Sequence, residues 1–220
     1  SSDVCSSDLS RTKGVNMKYV NSPDSDIYHK AHELYGIYQA KKAIAKLDRV
    51  YLVEGQADVI SMYQAGIENV VAGSGTALSF AQIHMLHRLT SNITLIYDDD
   101  EAGLHAALKG TDMLLSEGMN LKVLLLPDGE DPDSFARKHT AEELKQYIEQ
   151  HETDFIQFKT NLLLKDVTDP IKRTEAINSI VKSISLVTNP ILRDTYVQSC
   201  VARTGVAEAT LINTMNRFIR

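Results

Sequence analysis

Three short apolar runs in this sequence are each followed at once by acidic residues. Val53 precedes Glu54-Gly55-Gln56-Ala57-Asp58, Tyr97 precedes Asp98-Asp99-Asp100-Glu101-Ala102-Gly103, and Leu126 precedes Pro127-Asp128-Gly129-Glu130-Asp131-Pro132-Asp133. If each run is a strand of one parallel sheet, Glu54, Asp98, Asp100, Asp131 and Asp133 meet at a single rim, beyond the carboxyl ends of the strands where such sheets bind ligands. Carboxylates gathered without matching Lys or Arg repel and raise one another's pKa. A divalent cation relieves that repulsion, and an all-oxygen donor set suits Mg2+ or Mn2+ rather than zinc. Each piece also has a plainer reading: Asp98 to Asp100 as a cap for the next helix, Asp131-Pro132-Asp133 as a turn and N-cap. The chemistry rests on their conjunction at three successive strand ends.

The elements that must position these acids follow from the hydrophobic pattern. Residues 50–53, 69–72, 93–97 and 121–126 read as short buried strands. Between them, residues 57–65, a Ser79-capped segment reaching Leu89, and residues 102–117 read as helices, with Gly66 and Gly118 ending the first and last. That alternation predicts an α/β fold, a parallel sheet flanked by helices on both faces. Upstream, Lys18 to Pro23 reads as a strand end entering a turn, and residues 32–47 have helical spacing. After about Ala141 the strands stop. Segments 142–148, 154–164, 171–186, 191–202 and 206–217 predict a C-terminal helical bundle, with Pro170 and Pro190 near two helix starts and Gly205 breaking the last pair. It holds no concentration of chemically useful residues.

Composition bounds the class. The chain has 220 residues, 43% hydrophobic and 24% charged, as an ordinary globular protein does. Its 29 acidic and 23 basic residues give a net charge of −6, which excludes a generally basic nucleic-acid coat but not a local basic groove. Residues 11–49 reverse the balance, with eight basic residues against four acidic. No apolar run is long enough to span a bilayer, and no signal peptide opens the chain. Cys5 and Cys200 make neither a disulfide framework nor a four-cysteine zinc site, which predicts a cytoplasmic location. Residues 1–9 are polar, nearly self-repeating and similar to a translated sequencing adapter. They predict a disordered or non-native tail on a chain truncated upstream, and the helical pattern still running at Arg220 predicts a cut there as well.

Leu52-Val53-Glu54-Gly55 and Tyr97-Asp98-Asp99-Asp100-Glu101-Ala102-Gly103 resemble the Glu-Gly and Asp-x-Asp strand ends of the Toprim domain. Lys18-Tyr19-Val20-Asn21-Ser22-Pro23, Tyr28-His29-Lys30, Leu34-Tyr35-Gly36, Gly75-Thr76-Ala77-Leu78 and Gly129-Glu130-Asp131-Pro132-Asp133-Ser134-Phe135 further resemble the RNA-polymerase core of the bacterial DnaG-type primases. The resemblance implies nucleotidyl transfer in the primosome: short RNA primers made from ribonucleoside triphosphates on a single-stranded DNA template. It implies that Glu54 acts as metal ligand or acid/base, and that Asp98 and Asp100, catalytic as well, hold divalent metals with Asp131 and Asp133. Asp58 would lie nearby, and Lys18, Tyr19 and Lys30 would contact nucleic acid or nucleotide. It divides the chain into a tail (1–9), the end of a basic N-terminal subdomain (10–46), a Toprim domain (47–140) and a helical subdomain (141–220). The family's zinc-binding domain is not in this chain, and the contact to the replicative helicase is expected past Arg220. Asp99 stands where the family commonly has Gly, which predicts a modest effect. Gln56 replaces larger side chains and reads as neutral.

Other residues carry weaker signals. His84 and His87, three apart on one helix, lack an acidic or Cys partner in the local sequence and read as surface or packing histidines. Gly73-Ser74-Gly75-Thr76 lacks a P-loop Lys and reads as a tight turn near the site. Tyr35 and Tyr38 read first as packing on the sheet and second as base-stacking groups. The rival functions are a Toprim-type metal-dependent DNA nuclease, a primase-helicase fusion that would need a P-loop ATPase further on, and a catalytically incomplete nucleic-acid-binding fragment.

Overall fold

The structure, a computed structural model, describes residues 7–8, 20–21, 25–26, 29–73, 78–98, 108, 110–127 and 130–219. β1 (Ser7–Asp8) pairs antiparallel with β2 (Val20–Asn21), so part of the tail set aside in the sequence pairs with the stretch that follows it, in a ladder too short to be stable alone. The main body then runs α1 (Ile37–Leu47), β3 (Val50–Val53), α2 (Gln56–Gln64), β4 (Val70–Ala72), α3 (Phe80–His87) and β5 (Asn92–Asp98). It continues through α4 (Thr111–Ser116), β6 (Asn120–Leu126), α5 (Pro132–Lys138), α6 (Ala141–His151) and β7 (Thr153–Asp154). Four helices close the chain: α7 (Phe155–Leu164), α8 (Pro170–Leu186), α9 (Pro190–Thr204) and α10 (Glu208–Ile219). The main sheet has the order β4-β3-β5-β6-β7, parallel except for β7, which runs antiparallel to β6.

Strand alternation sorts the apolar side chains into two cores. Tyr51, Val53, Val70, Ala72, Ile96, Leu124 and Leu126 pack with Val59 and Met62 of α2, Phe135 of α5 and Leu144 and Ile148 of α6. Val50, Val71, Ile93, Leu95, Leu121 and Val123 face the opposite way, onto Ile44 of α1, Ile83 and Leu86 of α3, Leu114 of α4 and the closing helices. Each such side chain contributes about 1.5–3 kcal/mol by leaving water. The connection after β3 therefore crosses one face and those after β4 and β5 the other, with β4 and β5 on opposite sides of β3. The crevice between β3 and β5 is the topological switch point, where open α/β sheets bind their ligands.

Three elements differ from the sequence reading. The helix expected from residue 32 begins at Ile37, because Tyr35 exchanges backbone hydrogen bonds with Ala72 at 2.9 and 3.1 Å and extends the edge of the sheet. Gly36 then turns the chain at φ 83°, where an added Cβ would also meet Val59 Cγ1 at 2.8 Å. The helix expected over 102–117 falls partly outside the described residues. Leu108 is helical, and after a left-handed Gly110 the chain enters α4 at Thr111. The strands do not stop at Ala141: β7 adds a two-residue antiparallel edge, too short to carry a periodic signal.

Candidate active site

β3 and β5 are neighbours, so Glu54, just past β3, and Asp98, the last residue of β5, emerge on the same rim. β6 pairs with β5 until Leu126 lies opposite Asp98, and the loop beyond it leads to Asp131 and Asp133 at the start of α5. A fifth carboxylate, Asp58, lies in the first turn of α2. Its Oδ2 accepts the Gly55 N–H at 2.9 Å, and a Cβ on residue 55 would sit 2.9 Å from that oxygen, so a larger residue there would have to displace the Asp58 carboxylate. Burial pushes the Asp58 carboxyl up to about 6; Asp131 and Asp98 add repulsion, and the backbone N–H groups of Gly55 and Asp133 oppose it. The like-charge crowding anticipated for the rim is thus felt at Asp58. Tyr97 is raised to about 12 by burial first and by Glu54 second, which keeps its hydroxyl neutral.

Asp131 caps α5, its Oδ1 accepting from Ser134 N at 2.7 Å, so the plainer role foreseen for it is present in the local hydrogen bonding. Oδ1 of Asp133 accepts from the Ser61 hydroxyl and from Arg137 Nε at 2.8 Å. Ser61 is buried on α2, so this contact fastens α2 to α5 directly beneath the rim. Lys138 Nζ lies 2.8 Å from Glu130 Oε1, while Glu130 Oε2 is buried with no hydrogen-bond partner among the described residues. Arg137 stands four residues after Asp133, a spacing visible in the sequence. Ser61 is 72 residues from its partner, and nothing local could have paired them.

Asp100, Lys18 and Tyr19 lie outside the described residues, as do Asp99 and residues 74–77. Lys30 sits in a 3-10 turn, half-buried, its carbonyl accepting from Gln82 Nε2 at 3.0 Å. Among the described residues no three His, Cys, Asp or Glu side chains come close enough together to hold an ion. The donor chemistry, carboxylates alone, fits a hard divalent cation, and Asp100, the remaining acid of the set expected from the sequence, lies outside the described residues. His84 does have an acidic partner, Glu117 Oε2 at 2.7 Å, supplied from beyond its own helix. Tyr35 is partly buried against the core, but Tyr38 is 75% exposed, which corrects the packing expected of it.

Residues 51–136 match the family model described as Toprim-like, and residues 156–209 match that described as the DnaB-helicase binding domain of primase. A DNA primase of Staphylococcus epidermidis is 37% identical over 183 residues, covering 83% of this chain and 31% of the relative. One of Clostridium acetobutylicum is 35% identical over 207 residues, covering 92% and 34%. A DNA primase domain from Pseudomonas aeruginosa superposes with a TM-score of 0.80 at 29% identity, over 94% of this chain and 65% of that one. A DnaG primase catalytic domain bound to ssDNA does so with a TM-score of 0.78 at 33% identity, over 90% and 64%. The chain belongs to the bacterial DnaG-type primase family. It spans about a third of the length of the curated primases it matches. The primase helicase-binding model falls on α7 to the start of α10, inside the chain, whereas the sequence reading placed that region past Arg220. Amphipathic spacing alone does not distinguish a helix that docks a partner from one that only covers a sheet.

Proposed function

We propose that this chain is the metal-binding catalytic portion of a primase, making short RNA primers from ribonucleoside triphosphates on single-stranded DNA. The observation that supports the reading is the emergence of Glu54 and Asp98 from the carboxyl ends of the adjacent parallel strands β3 and β5, at the switch point of the sheet, in a chain of this family. Glu54, Asp98, Asp100, Asp131 and Asp133 would hold Mg2+ or Mn2+, with Asp58 beside them and no zinc. Such a metal pair, when bound, supplies an activated 3′-hydroxyl and stabilises the departing pyrophosphate. The protein's own contribution is placement. Parallel pairing fixes Glu54 and Asp98 on adjacent strands, and Ser61 and Arg137 hold Asp133. Lys18, Tyr19 and Lys30 would contact phosphates of template or nucleotide. Residues 156–209 would receive the replicative helicase, in the cytoplasm. Among the described residues no helix is long and apolar enough to cross a membrane.

One gel tests the proposal. The chain is incubated with labelled single-stranded DNA, differently labelled ribonucleotides and Mn2+, beside an Asp98→Ala control. Short RNA that disappears in the control is the expected result. Shortened DNA would assign a Toprim nuclease instead, and full activity in Asp98→Ala would remove Asp98 from the site.

A further inference from the structure

α1 presents two unlike faces. Ala40 and Ile44 are fully buried against the sheet, whereas Tyr38, Lys41, Lys42, Ala45 and Lys46 are exposed and follow the three- and four-residue spacing of one helical stripe. The helix contains three lysines and no acidic residue, in a chain whose net charge is −6. Lys41 Nζ stands 4.4 Å from the centroid of the Tyr38 ring, within cation–π range. The ammonium covers one face of that ring, and an exposure of 75% leaves the other to water. The Tyr35–Ala72 bridge fixes the first turn of α1 at the carboxyl end of β4, the end of the sheet that carries Glu54 and Asp98. From Tyr38 the lysines descend the helix over roughly 12 Å, at about 1.5 Å per residue.

We infer that this face of α1 is a track for single-stranded nucleic acid running to or from the acidic rim, on which Tyr38 stacks a base and Lys41, Lys42 and Lys46 neutralise phosphates. The chemistry of the face points to a single strand. An exposed aromatic ring needs an unstacked base to pair with, and sequence-tolerant strand binding combines such rings with lysines. Which strand it carries, template or primer, rests on the primase reading, but binding to the face does not.

The test is fluorescence anisotropy of a labelled single-stranded DNA oligonucleotide across a salt series. It compares the wild-type chain, Tyr38→Ala, Tyr38→Phe and the triple variant Lys41→Ala/Lys42→Ala/Lys46→Ala. Tyr38→Ala should weaken binding by about fivefold or more, and Tyr38→Phe should restore it. The triple variant should flatten the log–log salt dependence by about 2, at about 0.7 for each phosphate no longer neutralised. Wild-type affinity and salt slope in both Tyr38→Ala and the triple variant would overturn the track and leave the primase reading standing. Binding that weakens only in the triple variant would overturn it in favour of a surface for polyanions in general, an acidic protein among them. A wild-type chain that binds no strand would overturn it too. Primer synthesis is scored separately: its absence, with strand binding intact and sensitive to Tyr38, would count against the primase reading alone.

Discussion

Asp58 reports the electrostatics of the rim without any ligand. Its folded-state value of about 6 lies above the ordinary 3.8, so folding takes up a proton between those two pH values. The stability this contributes is full below pH 3.8 and lost as pH rises through 6. Asp58→Asn removes the charge while keeping an acceptor for the Gly55 amide. It should stabilise the protein by about 1–2 kcal/mol at neutral pH and by little near pH 4, where the wild-type carboxyl is already neutral. Urea unfolding at the two pH values measures this, and a gain independent of pH would mean that the Asp58 carboxyl is not raised in the folded protein. Ser61→Ala should do the reverse, costing about 1.5–3 kcal/mol through a lost hydrogen bond to a charged group. Ser61→Thr should recover part of that, if the added methyl is accommodated. At this scale the acids at strand ends were legible, because each follows an apolar run directly. Ser61 was not, because its role depends on α2 and α5 lying against each other.

At the scale of elements, the sheet is tied together at the end opposite the rim. Glu152 caps the end of α6 with its side chain 4% exposed, and accepts from Thr94 Oγ1 at 3.0 Å and Lys122 Nζ at 2.6 Å. Arg49 Nη1 lies 3.2 Å away. One carboxylate thus links the approach to β3 with β5, β6 and the turn into β7. Removing one partner of a buried ion pair costs about 3–5 kcal/mol. Here water can reach Arg49 and Lys122, so Glu152→Ala should cost about 2–3 kcal/mol, read as a shifted urea midpoint with an unchanged m-value. Metal and strand binding at the rim should not change, and their loss would show that the two ends of the sheet are coupled. Helices and long strands were readable from periodicity, since three or more apolar side chains mark each face. β7 and the extended Leu34-Tyr35 stretch were not, because they exist only by pairing with strands already in place.

For the molecule as a whole, the division at residues 140/141 follows chemistry rather than packing. α5 and α6 lie on either side of it, yet Phe135, Leu144 and Ile148 share one core with Val53 and Leu126. The closing helices join the other core, where Phe155, Ile180, Val197 and Leu211 pack in the same cluster as Ile93, Leu95 and Val123. The closing helices pack chiefly on one another, and they join the sheet through α7 on β6 and α8 on α4, inside one continuous core. Sheet and bundle should therefore unfold in one transition, with tyrosine fluorescence and far-ultraviolet circular dichroism giving coincident curves. A chain ending at residue 140 should expose the apolar face of β5 and β6 and aggregate, because a bare sheet face of that size is a large exposed hydrophobic patch. Two separated transitions, or a soluble folded fragment of residues 29–140, would show that the helices are an independent module. In that case a partner docked on residues 156–209, as proposed, could move without disturbing the rim; with a single core, whatever binds the bundle also bears on the strands that hold Glu54 and Asp98.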